Sequence, residues 1–478
     1  MIKDKRLRAC FFVLLGLFMV VRLFLLFRPH VLYWDAAVYI GMAKHIYSAG
    51  SAGLWEPIRP LVWPLILGIP WYLGLDIVLS GHLMQVMFSF GLVLLTFLLA
   101  KEYGGEKSAL FASSVMAFSG FFIFLNYRLL TEIPAAFFAV LAVYLYIKKK
   151  PFLSGFAAGI SFLTKFPFGI FLPVVVLADL RQVKRWTRYA VGFAIPSSAY
   201  LLLNTVLYSD PLAPLLEAAR VIRINVGCNI TFAQPWYMYL QRIPFDNWLF
   251  PLSLLAIVPS AGNFRSNLID RVLILSIVLP LLYLFQLSCR DFRFAMLFLP
   301  FLAVLAGKGI HSLFIYLSRK LSMPHSRFFI IFFFAVLFLS AFSGISSYSA
   351  EEPPPWPQRV SDYYSFLSNP DVAGKYSSFN IFSSTPWPVV YSNAPVDILY
   401  YPNFDSEIAS RYASEFRNSS KALVFYDECG GGLECPPSDV LCPSQKELLF
   451  DVLNSSFSKI VFFSHDGCRY ALFARHDK

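Results

Sequence analysis

Apolar runs of about 18–20 residues, separated by short basic or turn-rich stretches, repeat along most of the first 345 positions. Runs of this length read as membrane-spanning helices, because about 20 apolar residues cross the hydrocarbon core. The first, ACFFVLLGLFMVVRLFLLF, follows the basic MIKDKRLR and predicts a span at about 10–27. Further spans are predicted at about 82–100, 108–126, 131–147, 188–207, 244–260, 268–287, 292–306 and 327–344, with a short hairpin at about 152–164 and 166–179. That makes eleven crossings. Residues 61–79 are apolar too, but Pro64, Pro70, Gly74 and Asp76 mark them as a short or re-entrant segment.

Beyond about residue 345 the pattern changes. EEPPPWPQ reads as a proline-rich linker over 346–357. KALVFYDE and SKIVFFSH are strand-like, and the latter leads through DGC into RYALFAR as a hairpin. PSQKELLFDVLNSS has helical periodicity. The expected architecture is a polytopic α-helical membrane domain over 1–345 and a small soluble α/β domain over 358–478.

Composition sharpens this reading. Hydrophobic residues make up 57% of the chain and charged residues 14%, well below the roughly 25% charged of soluble domains. The net charge of +11 fits cytoplasmic Lys/Arg enrichment better than a nucleic-acid partner. MIKDKRLR, the KKK at 148–150, RQVKRWTR and KGIHSLFIYLSRKLSMPHSR are all expected inside. No clear small-residue cleavage site follows the first segment, so it is expected to stay as a span. An odd number of crossings then places the C-terminal domain outside the cell membrane. The sequons at Asn229, Asn418 and Asn454 all fall on that side. Cys429, Cys435, Cys442 and Cys468 lie in the outer domain, where an oxidising compartment allows two disulfides.

This topology brings charged residues from several loops to the outer boundary. The carboxylates are Asp35, Glu56 and Glu132; the cations are Arg59, Arg128, Lys165, Arg290 and Arg293. Charges there are costly without a partner or a use. Arginines can snorkel to water, whereas short carboxylates do so poorly. A carboxylate can take a proton from a hydroxyl or amine, and Arg or Lys can hold a phosphate. Together these parts suit transfer of a sugar from a polyprenyl-phosphate donor held at headgroup level.

The order of motifs resembles the membrane glycosyltransferases of the GT-C fold, most closely the branch of dolichyl-phosphate-mannose protein mannosyltransferases and lipid A aminoarabinose transferases. YWDAAVYIGMAKHIYSAG is similar to the first outer-loop motif, with Tyr39 four residues after Asp35, and EPIRPLVWPLILGI to the segment after it. LLTEIPAAFFAVLAVYLYIKKK resembles the second acidic motif, SGFAAGISFLTKFPFGIFLP the short hairpin ending in Thr-Lys, and FRFAMLFLPFLAVLAGKGI the late arginine–aromatic helix. The resemblance covers about residues 10–345. It implies that Asp35 is the catalytic base and Glu132 a second acidic site residue. It also implies that Lys165 and Arg293 face the donor phosphate, and that the sugar carbon is inverted. Tyr39, Glu56, Arg59, Arg128 and Arg290 complete the candidate substrate-binding set. Asp35-Ala36 replaces the Asp-Glu frequent in protein mannosyltransferases, so protein, lipid and glycan all stay open as acceptors. No cofactor is assigned, and a divalent metal stays open: His30 and His45 flank Asp35, but a lone loop histidine is more often a plain surface residue.

A polyprenyl-linked lipid or sugar transporter is the rival reading. Transporters place ionisable groups near the midplane and often carry inverted repeats; here the charges gather at one face.

Overall fold

The computed structural model describes residue 2 and residues 4–475, except 225–233, 265, 288–289, 400–405, 419 and 436–438. The sequon at Asn229 lies outside the described residues. The membrane domain comprises α1 (Lys5–Leu26), α2 (Trp34–Tyr47), α3 (Val62–Tyr72), α4 (Ile77–Ala117), α5 (Gly120–Leu125), α6 (Glu132–Ile147), α7 (Pro151–Thr164), α8 (Phe171–Ala178), α9 (Val183–Tyr208), α10 (Ala213–Ile224), α11 (Met238–Asp246), α12 (Leu254–Gly262), α13 (Leu268–Gln286), α14 (Leu299–Lys320) and α15 (His325–Glu351). Among the described residues six helices are long and apolar enough to cross a membrane: α1, α4, α9, α13, α14 and α15. Shorter apolar helices, α3, α6, α7, α8 and α12 among them, fill the bundle between these.

Several boundaries differ from the expected ones, each for a local reason. α4 carries the 82–100 segment and the first part of the 108–126 segment, divided by a break at Gly105 (φ 79°, ψ −178°) inside KEYGGEK. Its second part stops at Ala117, where Ser119 caps the separate short helix α5. The 244–260 segment is two helices joined by a 3-10 turn at Phe250–Ser253. α14 continues to Lys320, through residues expected in an inside loop. Small residues permit that length: a Cβ on Gly307 would lie 2.5 Å from the Ala112 nitrogen of α4, and one on Gly309 1.9 Å from the Leu252 carbonyl. Such close backbone approach is how helices associate where water supplies no driving force. The α7–α9 crossing uses the same device at Gly155 and Gly192.

α15 runs on to Glu351, into the segment read as linker. Beyond it come α16 (Gln358–Tyr364), α17 (Pro370–Lys375), α18 (Pro388–Tyr391), α19 (Ser406–Asn418) and α20 (Cys442–Ser456) with β1 (Asn380–Ser383), β2 (Val396–Ile398), β3 (Ala422–Asp427), β4 (Ser458–His465) and β5 (Cys468–Arg475). The sheet order is β2-β1-β3-β5-β4, parallel across β2-β1-β3 and antiparallel across β3-β5-β4. The β4–β5 hairpin turns on Asp466-Gly467, both at positive φ, as Asp-Gly favours. Alternation splits the sheet faces. Leu423, Phe425 and Leu472 join the core shared with the membrane helices, while Val424, Tyr426 and Phe473 face Phe416 of α19 and Leu453 of α20. Disulfides Cys429–Cys468 and Cys435–Cys442 brace this domain.

The two domains meet on α2 and the loop after it. The buried Lys44 ammonium donates to the carbonyls of Val389, Val390 and Ser392 at 2.8–2.9 Å. Gly53 (φ 83°) forms a bridge to Pro395 beside β2. Trp387 donates its indole N–H to Leu32 O at 2.9 Å. The C-terminal domain is thus fastened to the helix that carries Asp35.

Candidate active site

Asp35 lies in the first turn of α2, with Tyr33 as the N-cap residue. Its carboxylate is therefore not the helix cap; it accepts from two guanidinium groups. Arg59 Nη2 is 2.9 Å from Oδ1, and Arg293 Nη1 is 2.5 Å from Oδ2. Arg59 comes from the turn after Glu56, whose carboxylate takes Arg59 Nε at 2.5 Å. The Arg59 guanidinium also lies 5.8 Å from the ring centroid of Tyr39, one turn beyond Asp35.

Glu132 opens α6, with its side chain 1% exposed. Its Oε1 accepts from Lys165 Nζ and lies 3.8 Å from Arg293 Nε. Its Oε2 has no hydrogen-bond partner among the described residues. The turn before it passes through Leu129 at φ 51°. That uncommon conformation is held from two sides: Trp63 of α3 donates to Leu129 O at 2.9 Å, and Gln85 of α4 to Leu130 O at 2.5 Å. Lys165 ends α7 in extended backbone (φ −155°) ahead of Pro167, at the tip of the hairpin. Arg293 sits in the 3-10 helix Phe292–Leu297 that precedes α14. Asp291 accepts from the Arg293 backbone N–H at 2.9 Å and places its other oxygen 2.8 Å from Nε.

Asp35, Tyr39, Glu56, Arg59, Glu132, Lys165 and Arg293 thus form one network. Asp291, two residues before Arg293, belongs to it as well. Burial pushes the Asp35 carboxyl up, but Arg59, Arg293 and then Lys165 outweigh it and hold the group well below the usual carboxylate range.

Two of the expected members are not brought here. The fully buried Arg128 guanidinium packs 4.3 Å from the Phe124 ring centroid and 4.9 Å from that of Tyr33. It binds Glu352 at 2.6 Å and Val31 O at 2.9 Å, so it secures the end of α15. Arg290 donates to the carbonyls of Gln234 and Phe285 at 2.6 and 3.2 Å, away from Asp35. The flanking histidines also go elsewhere. His30 stacks on Tyr127 and meets Glu352 at 3.2 Å, and His45 packs near Trp55. Among the described residues no group of three or more His, Cys, Asp or Glu gathers to hold a metal ion.

Two cavities meet at Asp35, Arg59 and Arg293. One, of about 580 Å³, has apolar walls from Phe166, Ile170, Leu215, Ala219 and Leu287, and Lys165 stands in its lining. The other, of about 560 Å³, is walled by Tyr33, Trp34, Phe124 and Phe292 with Arg242 and Glu351. Trp387, Gly431 and Glu434 of the C-terminal domain complete it. Arg242, paired with Glu351 at 3.2 Å, gave no signal in the sequence: it stands in an unremarkable stretch far from any acidic motif.

This arrangement has the GT-C fold of membrane glycosyltransferases. No family model matches the sequence, and no curated protein matches it. Among solved structures, the chain is similar to ArnT from Cupriavidus metallidurans bound to undecaprenyl phosphate, with a TM-score of 0.64 and 13% identity over 96% of this chain and 97% of that one. It is also similar to the apo oligosaccharyltransferase of Archaeoglobus fulgidus, with a TM-score of 0.62 and 12% identity over 98% and 74%. A further structure is the archaeal oligosaccharyltransferase AglB from Archaeoglobus fulgidus, in complex with an inhibitory peptide and a dolichol-phosphate, with a TM-score of 0.59.

Proposed function

We propose that the protein is an inverting glycosyltransferase that moves a sugar from a polyprenyl-phosphate donor to an acceptor at the outer face of the membrane. The observation that carries this reading is the position of Asp35 between an apolar cavity lined with cations and an aromatic, polar cavity under the outer domain. The apolar cavity takes the polyprenyl chain, with the phosphate at Lys165, Arg293 and Arg59. The structural neighbours crystallised with undecaprenyl phosphate and dolichol-phosphate support that choice. The acceptor enters from the other cavity. It is a protein, lipid or glycan carrying a hydroxyl or amine nucleophile.

In the reaction the nucleophile attacks the anomeric carbon as Asp35 takes its proton. The bond from that carbon to the phosphate oxygen breaks, and the leaving polyprenyl phosphate keeps the electron pair. Lys165, Arg59 and Arg293 stabilise the charge that develops on it. One displacement with no enzyme nucleophile inverts the sugar carbon. Glu132 orients Lys165 and Arg293 toward the phosphate.

The site faces outward and the N-terminus is cytoplasmic. Lys148–Lys150 at the far end of α6 support this orientation by the positive-inside rule, as do the two disulfides of the outer domain. The test combines purified protein, labelled polyprenyl-phosphate sugar and a membrane extract as acceptor source. Label must pass to the acceptor fraction; label that only crosses the bilayer unchanged identifies a transporter instead.

A further inference from the structure

Three cations at the site are already committed to its own carboxylates. Arg293 serves Asp35 at 2.5 Å, Asp291 at 2.8 Å and Glu132 at 3.8 Å. Arg59 divides between Asp35 and Glu56. Lys165 is held by Glu132. Four carboxylates therefore face three cations, and the cluster is not a ready-made cationic pocket. Nor do the nearby arginines offer a replacement: Arg128 and Arg242 are paired with Glu352 and Glu351, and Arg290 with backbone carbonyls.

Both oxygens of Asp35 are occupied as well, one by each guanidinium. A carboxylate held this way is a poor proton acceptor, since its charge is already neutralised. The same atoms thus block two functions at once. The cations cannot take a phosphate with full strength, and Asp35 cannot take a proton.

We propose that the donor phosphate and Asp35 compete for Arg59 and Arg293, so that the base is released only when a polyprenyl phosphate occupies the apolar cavity. This inference rests on the donor-site reading above. As the phosphate draws the guanidinium groups toward its oxygens, Asp35 loses its partners, its proton affinity rises, and it turns to the nucleophile in the adjoining cavity. Binding order follows: donor first, then a competent base. By linkage the effect is reciprocal, so whatever removes the Asp35 charge strengthens phosphate binding.

The competition makes an unusual prediction about the base: neutralising it should improve donor binding. The probe is undecaprenyl phosphate, titrated against the full chain in detergent by thermophoresis. Asp35→Asn and Asp35→Ala are expected to bind it roughly tenfold more tightly than the wild type, the scale of one regained charge-assisted contact. Glu447→Gln, which removes an exposed carboxylate paired with Arg469 outside both cavities, controls for general charge and should shift affinity by less than about twofold. Equal or weaker binding by folded Asp35 variants overturns the proposal, and so does an equal gain in Glu447→Gln. A second measurement uses only the wild type. Infrared difference spectra with isotope-labelled aspartate should show a carboxylate band moving when undecaprenyl phosphate is added, and no movement overturns the proposal even where the variants do not fold. Failure of the underlying reading looks different: Arg293→Ala and Lys165→Ala would then bind undecaprenyl phosphate as the wild type does.

Discussion

The two ends of α6 hold charges in opposite ways. At its start, the buried Glu132 holds Lys165 and shares Arg293 with Asp35 and Asp291, so that one guanidinium is divided among three acids. Just past its end, Lys148 pairs with Glu102 at 2.7 Å, with side chains 40% and 31% exposed. Exposed pairs of that kind contribute little to stability. Buried charges are costly to assemble, and a buried network that leaves a carboxylate oxygen of Glu132 without a partner is poorly explained by stability alone. The difference separates an end whose exposed ion pair adds little to stability from an end whose buried charges fit the chemistry we propose.

The largest effect expected from that difference is at Asp35. Asp35→Asn conserves shape and should keep the fold, while lowering transfer by about 10²–10⁴-fold, the scale of a lost general base. Glu132→Gln should be milder, because in the proposed reaction Glu132 orients cations and does not take the proton. Transfer of labelled sugar to membrane acceptors measures both. Near-normal turnover in Asp35→Asn would remove it as the base.

Arg128 tests the comparison from within the buried class. It is as buried as Glu132, yet it serves one carboxylate, that of Glu352, which His30 also meets. Arg128→Ala should therefore cost stability, about 3 kcal/mol for an unpaired buried charge, seen as a lower apparent melting temperature. Its folded fraction should keep its affinity for undecaprenyl phosphate. A variant with a normal melting temperature and lost donor affinity would return Arg128 to the site.

Much of this was legible in the chain, for physical reasons. Asp35, Glu132, Lys165 and Arg293 each stand at an apolar–polar boundary, where a charge has few options and so declares itself. The Asp466-Gly467 hairpin was legible because only a few residue pairs tolerate two positive φ angles. Arg128 and Arg290 were not separable from Arg59 and Arg293. A long side chain at a boundary reaches several places, and its partner, whether Glu352 or a backbone carbonyl, is set by tertiary packing. The reach of α14 to Lys320 was hidden for a similar reason: charge marked those residues as loop, while Gly307 and Gly309 fit them against α4 and Leu252.

Within the site, Lys165→Ala and Arg293→Ala should weaken donor use by about 1.5–3 kcal/mol each, through loss of a charge-assisted contact to phosphate. The readout is KM for labelled donor against KM for acceptor, and the donor term should move more. Equal movement in both, or none, would take these two residues out of the phosphate role.

The smallest effect is expected at Lys148, and it is the sharpest check on the comparison. Its ammonium faces Glu102 with 40% of the side chain exposed, so water screens the pair and competes for both partners. Holding two long side chains in one geometry also costs rotamer freedom. Lys148→Ala should therefore change stability by no more than about 0.5 kcal/mol. Undecaprenyl phosphate affinity and transfer rate should match the wild type. One further property can move: under the proposed topology, removing a positive charge beside Lys149 and Lys150 weakens the signal that holds this loop in the cytoplasm, and cysteine labelling of intact cells at Ser377 reads whether the C-terminal domain still reaches the surface. If Lys148→Ala instead impaired transfer as strongly as Lys165→Ala, with labelling unchanged, the two ends of α6 would not differ in kind, and the outer cluster would lose its claim to be the reactive one.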